Sequence, residues 1–412
     1  VVMRKVICLN IPLVRPGKLG NFEITMATIL EHTRWLMLLS LSLLLLTGCS
    51  WFRSKDNTQS PAPLVEFSPT VSLKTLWTAN VKGGANQNDF KLVLSVADHE
   101  VFAASPKGYV TAYDFRNGHS LWQTALDVTI AGGPGVGEGL VIVGSNHGDV
   151  IALSTTDGKL QWQVKVSSEI LAVPQISQGI VVVRTIDGKL FGLESQTGQR
   201  LWVYERNVPL LTLRGTSTPL ITDDHIIVGL DNGQLALLEL RTGKLLWEMT
   251  VAAAHGRTEL ERMADIDADP KVAEQIIYAT SYQGRTIAAD LSHGQLLWER
   301  DIASYAGLDI DADKVYVSDS QSQLWALQRD SGATIWKQDK LQARGLTAPV
   351  IFNNYVIVGD NEGYVHWLRR EDGQFVTRYN AGDSILVPPL VIEDTILIYT
   401  RGGELIALQV ES

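Results

Sequence analysis

One segment recurs along the chain, and it limits the possible folds more than any other feature. KGYVTAYDFRNGHSLW, HGDVIALSTTDGKLQW, DGKLFGLESQTGQRLW, NGQLALLELRTGKLLW, QGRTIAADLSHGQLLW and QSQLWALQRDSGATIW share one template. In it the second residue lies fourteen before a tryptophan, giving Trp122, Trp162, Trp202, Trp247, Trp298 and Trp336. A seventh copy, EGYVHWLRREDGQFVT, has Thr377 at that position, and an eighth, GGELIALQVES, ends at Ser412 before reaching it. Self-similarity at a period of about forty residues describes stacked supersecondary units, none of which buries its apolar face alone.

Each unit opens on an extended stretch often led by proline (Pro134, Pro174, Pro219, Pro270, Pro349, Pro389) and continues into a β-branched run such as GLVIVG or YVIVG. The template adds a strand that is apolar on both faces, a turn containing glycine (Gly118, Gly158 and their equivalents), and a short strand carrying the tryptophan. That pattern predicts four strands of about five or six residues per unit, joined by Gly/Asn/Asp turns. Four antiparallel strands repeated at this period make a β-propeller blade, and a strand apolar on both faces fits a blade sandwiched between two others. A solenoid would instead need capping units, which are not evident.

The unfinished eighth unit finds its missing strand at the other end, in VSLKTLWTANV, where Trp77 lies in the same kind of strand. Pairing the two closes the ring and removes an exposed edge. The sequence therefore predicts an all-β, eight-bladed β-propeller of four-stranded antiparallel blades over 71–412, its last blade closed by an N-terminal strand. The tryptophans are expected between blades, each burying on the order of 150–250 Å².

Upstream, Arg34 precedes the uncharged run Trp35–Leu46, twelve residues long and closed by Thr47-Gly48-Cys49. A bilayer span needs about 20 residues, so the run fits the core of a signal peptide. L-T-G-C resembles the bacterial lipobox, in which the cysteine thiol takes a diacylglycerol and the leader is cut before it; a signal peptide ending by chance near a cysteine is the alternative. Ser50 rather than Asp follows the cysteine, which in such lipoproteins implies export to the outer membrane. Residues 1–48 are thus expected to be an upstream extension plus a removed signal peptide, Cys49 the lipidation site, and 49–70 a flexible tether. Several acyl chains at about 0.8 kcal/mol per buried CH₂ would hold the protein stably. Removing the segment before Cys49 leaves 30 basic against 43 acidic side chains, a net charge of −13. Such an acidic surface excludes a phosphate backbone as the obvious partner.

Chemistry-bearing patterns are sparse. The eight histidines are scattered, with no HExxH and no phosphate-binding glycine loop. Two acidic runs, Asp265-x-Asp267-x-Asp269 and Asp309-x-Asp311-x-Asp313, lack the glycine and glutamate of a calcium loop, having Pro270 and Ile276, and Lys314 and Ser320, in their places. No cofactor and no metal are expected. The repeat resembles the tryptophan-docking repeat of pyrroloquinoline-quinone dehydrogenases, which makes a quinone-dependent periplasmic oxidoreductase the rival reading. The adjacent cysteine pair of that family is absent, since the chain has only Cys8 and Cys49. A shared packing device argues for fold and not for activity.

Where the chain departs from its repeat is more informative. Most intervals from the tryptophan to the next unit's second residue run 24 to 27 residues, but Trp202 to Gly233 takes 31 and Trp247 to Gly284 takes 37. The extra residues, in NVPLLTLRGTSTP and AHGRTELERMADIDADP, fall in one template segment of consecutive units and should emerge from adjacent blades. An apolar pair beside a cation, with carboxylates next door, has the composition of a protein-binding patch.

With these features the chain resembles the BamB family of outer-membrane protein assembly factors: a lipobox, a docking-repeat propeller with short loops, and the segments LLTLRG and ERMADID. The similarity covers nearly the whole mature chain. It implies a non-catalytic lipoprotein on the periplasmic side of the outer membrane, contacting BamA, the central subunit of the β-barrel assembly complex. It further implies that Leu211, Leu213 and Arg214 belong to one partner-binding loop and Asp265 and Asp267 to the neighbouring one. Unfolded outer-membrane proteins would be the clients.

Overall fold

A computed structural model describes residues 59–84, 91–209, 211–212, 216–252, 258 and 263–411. The leader and Cys49 lie outside the described residues. Every regular element among the described residues is a strand, and the strands form eight antiparallel sheets of four, one of which gains a fifth member. These are the blades of an eight-bladed propeller. Blades 1 to 7 take their strands in chain order, from Ser95–Ala97 to Phe375–Asn380. Blade 8 is composite: Leu390–Ile392, Thr395–Tyr399 and Glu404–Val410 are completed by Leu73–Asn80, paired antiparallel from Leu73↔Val410 to Asn80↔Glu404. The ring thus closes as the sequence predicts.

The first strands are shorter than expected, three residues in most blades, as in Gln175–Ser177 and Leu390–Ile392. Proline explains the difference. It has no N–H to give to a ladder, so pairing starts at the residue after Pro174, Pro219, Pro270, Pro349 or Pro389. These short strands pack against one another from blade to blade and so line the centre. Blade 2 differs: its first strand, Ile130–Gly137, accepts Lys91–Leu92 as a parallel neighbour on its inner side. The connection from Trp77 to Gly108 is, at 31 residues, a third long interval, and this inner strand is where part of it goes.

Each outer strand carries the same β-bulge, one residue before the tryptophan slot; in blade 3, Gly192 pairs Trp202 and Leu193 pairs Arg200, so Leu201 is skipped. A bulge unpairs one residue and sharpens the twist, which turns the indole into the gap between blades. Each indole then meets the next blade twice. Trp77 Nε1 donates to Phe115 O at 2.9 Å and Trp202 Nε1 to Leu240 O at 2.9 Å, and the other five repeat the bond. The ring also lies on the next blade's turn glycine: at Gly118, with φ +71°, a Cβ would come within 2.4 Å of Trp77 Cε3.

The same geometry explains Thr377. The third and fourth strands of blade 8, Glu404–Val410 and Leu73–Asn80, are not consecutive in sequence. They are therefore not joined by the turn that the other blades have, and no turn glycine awaits an indole from blade 7. Instead Trp367, fully buried, occupies the neighbouring third strand opposite Thr377, where other blades have a small residue such as Gly192, Ala152 or Ala288. The bulky and small partners have exchanged strands.

Part of the segment read as a tether is held on the ring. Ala62 N–H donates to Gln342 O and Thr70 N–H to Val376 O, both at 2.9 Å.

Candidate partner-binding face

In an antiparallel four-stranded blade, the connection leaving the last strand emerges on the same face as the turn between strands two and three. Hydrogen bonds tie the two together around the ring: Ile186 N to Glu169 O at 3.0 Å, Tyr282 N to Asp265 O at 2.9 Å, Asn361 N to Arg344 O at 2.9 Å and Arg401 N to Ser384 O at 2.8 Å. This is termed the loop face. Large exposed apolar side chains among the described residues lie either on the outer strands or on this face, as Ile186, Leu211, Tyr305 and Leu386 do, and none lies on the opposite face.

Both long connections belong to the loop face and stand on one structure, the blade 4 turn at Leu230–Gly233. The first, between Arg200–Glu205 and Leu220–Thr222, is fastened by a buried cation. Arg184 Nη2 contacts Asp231 Oδ1 at 2.5 Å, and Arg184 Nη1 donates to Ser217 O at 3.2 Å and to Ser217 Oγ at 2.9 Å. Ser217 Oγ donates in turn to Gly229 O at 3.2 Å. The second, between Leu245–Thr250 and Lys271–Ala273, meets the same turn: Val251 and Ala252 N–H donate to Gly233 O, and Ile266 N–H to Leu230 O. Asp269 Oδ1 accepts Thr218 N–H at 2.7 Å and links the two connections directly. Gly229 allows this closeness, because a Cβ there would lie 2.2 Å from Ile266 Cγ2.

Leu211 is 43% exposed, whereas Asp265 and Asp267 are 1% and 9% exposed. The two carboxylates are therefore packed into the foot of the second connection, because Asp265 to Ala268 descends between blades 4 and 5 towards the inner strands. Leu213 and Arg214 lie outside the described residues. Arg184 and Asp231 lie outside every motif and long segment that the sequence singles out, and Ser217 is an unmarked residue of the first long segment. A signal was present: Arg184 ends a β-branched run at a slot that holds Ala104, Gly144, Gly229 or Gly359 in other blades.

The acidic runs disperse. Asp309 pairs with Lys271 at 3.5 Å and accepts Ile351 N–H, while Asp311 accepts the N–H groups of Asp313 and Lys314 and pairs with Arg370. Among the described residues no three His, Cys, Asp or Glu side chains converge as metal ligands.

A closed, tryptophan-docked ring that gathers its exposed loop residues and longest connections on one face defines a scaffold, a protein that presents surfaces. Comparison with known proteins gives the family. The profile described as outer membrane protein assembly factor BamB matches residues 106–338 and 331–412. The BamB of Alkalilimnicola ehrlichii is 47% identical over 369 residues, 89% of this chain and 95% of that protein; that of Escherichia coli K12 is 36% identical over 378 residues, 88% and 95% of the two chains. The crystal structure of BamB from Moraxella catarrhalis superposes with a TM-score of 0.76 at 29% identity, covering 82% of this chain and all of that one. The chain belongs to the BamB family of outer-membrane protein assembly factors. A quinohemoprotein alcohol dehydrogenase from Comamonas testosteroni superposes with a TM-score of 0.67 at 13% identity, covering 82% of this chain and 76% of that one; this is a likeness of fold alone.

Proposed function

We propose that the protein is a non-catalytic scaffold of outer-membrane protein assembly, held at the periplasmic face of the outer membrane by acyl chains on Cys49. It docks BamA through the two long connections and thereby helps the assembly complex fold and insert outer-membrane proteins. The observation that carries this reading is the common footing of the two connections on the Leu230–Gly233 turn, which makes them one composite surface. Leu211, Leu213 and Arg214 supply the contact in the first. Asp265 and Asp267, being buried, support the second from beneath.

Family membership supports the assembly role. The oxidoreductase reading has only the shared propeller in its favour, and Cys8 and Cys49 cannot form an adjacent pair. Exchanging Arg214→Glu in the full chain should abolish co-purification with BamA while the circular-dichroism spectrum stays that of the parent. Undiminished co-purification would remove Arg214 from the surface.

A further inference from the structure

We propose that blade 7 carries a built binding site for the chain's own N-terminal segment, and that this site turns the loop face towards the bilayer in which Cys49 is held. The second half rests on the lipid-anchor reading above.

The site starts from Asp360, which is fully buried. Its Oδ2 accepts Arg344 Nε at 2.5 Å and His366 Nε2–H at 2.8 Å, and His366 Nδ1 accepts Arg378 Nε–H at 3.2 Å. The free ends of both guanidinium groups hold the N-terminal segment. Arg344 Nη1 donates to Ala62 O at 2.9 Å, and Arg378 Nη1 and Nη2 both donate to Val65 O at 3.3 Å. Arg378 also stacks 5.0 Å over the Phe67 ring, which itself stacks on Phe375 with centroids 5.4 Å apart. Burying so many polar groups is costly unless each is satisfied; here the chain's own carbonyls complete the set.

Comparison around the ring shows that the site is specific to this blade. The residue at the bulge is 39–50% exposed where it is Leu76, Leu121, Leu201, Leu246, Leu297 or Ile335, but Val376 is 4% exposed because the N-terminal segment covers it. The slot after the tryptophan position holds Thr78, Gln123, Gln163, Val203, Glu248, Glu299 or Lys337 elsewhere, and arginine only in blade 7.

The segment has a direction. Ala62 is bonded to Gln342 and Arg344, in the loop-face connection between blades 6 and 7, and the chain then runs to Thr70 at Val376 and to Ser72, whose carbonyl accepts Glu411 N–H at 2.9 Å. It therefore enters the ring at the loop face. Cys49 precedes Ala62 by 13 residues, a reach of at most about 45 Å at 3.3–3.6 Å per residue. The face that carries the two long connections is then the face drawn to the membrane.

The test uses the full acylated chain in phosphatidylethanolamine/phosphatidylglycerol vesicles containing a headgroup-quenching lipid. A fluorophore is placed on Lys340→Cys at the loop face or on Glu371→Cys at the opposite face of blade 7. Emission should be quenched more at position 340, and the difference should vanish in Phe67→Ser/Arg378→Gln. Equal quenching of the two sites in the parent overturns the orientation. In detergent, amide exchange at Thr70 should rise about tenfold or more in the double variant, with circular dichroism unchanged; unaltered exchange overturns the clamp. An unacylated N-terminal peptide in mass spectrometry overturns the anchor reading and the orientation with it, and Thr70 exchange still decides the clamp.

Discussion

Arg184 and Asp231 meet as a buried ion pair across blades 3 and 4, Nη2 to Oδ1 2.5 Å, with side chains 1% and 9% exposed. Breaking such a pair leaves one charge uncompensated, which costs about 3–5 kcal/mol, whereas replacing both partners by apolar groups is often close to neutral. Arg184→Met should therefore lower the urea-unfolding free energy by about that amount, and Arg184→Met/Asp231→Leu should recover most of it. The double variant should still bind BamA weakly, because Ser217 has lost its fastening. Equal stability of parent and single variant would show that the pair does not hold the fold.

The docking of indoles on turn glycines makes a second, asymmetric prediction. Trp202→Phe loses the bond to Leu240 O and should cost about 1 kcal/mol plus a packing loss, measured by chemical denaturation. Gly243→Ala should cost more, since the new Cβ would lie 2.4 Å from Trp202 Cε3 at a φ of +66°. Restoring the apparent consensus with Thr377→Trp should destabilise as well, by about 1–3 kcal/mol of overpacking. Trp367 already fills that layer.

Much of this architecture is legible in the sequence. Trp77 and the turn glycines announce eight blades and their closure, because one docking device recurs at seven of the eight blade junctions and only the junction after Thr377 departs from it. The short first strands are not, as alternation cannot tell a paired residue from a merely extended one beside proline. Nor are Arg184 and Arg378, which are single departures from the repeat whose partners, Asp231 and Val65, lie far away in sequence. The burial of Asp265 and Asp267 is hidden for a related reason: an acidic run reads as solvated until the descent between two blades is known.

Acid should destabilise the fold through blade 7. Burial holds the His366 imidazole below the ordinary histidine value, and the attraction of Asp360 does not reverse this. Burial alone would raise the Asp360 carboxyl, but His366, Tyr364 N–H and Arg344 together hold it below the ordinary range. Both groups thus bind protons more readily unfolded. The histidine contribution is complete above about pH 6.5 and is lost as pH falls below it, by at most about 1.4 kcal/mol per pH unit; the aspartate adds its loss below about pH 4. Thermal unfolding of the parent between pH 7.5 and 5.5 should show this slope, and His366→Gln should flatten it. Identical slopes would contradict the assignment.

The central claim is that the two long connections form one surface for BamA, and photocrosslinking in intact membranes tests it most directly. A photoreactive amino acid at Leu211 or Leu213 should capture BamA, and the same probe at Glu371, on the opposite face, should not. BamA captured equally from both faces, or only from Glu371, would contradict the account.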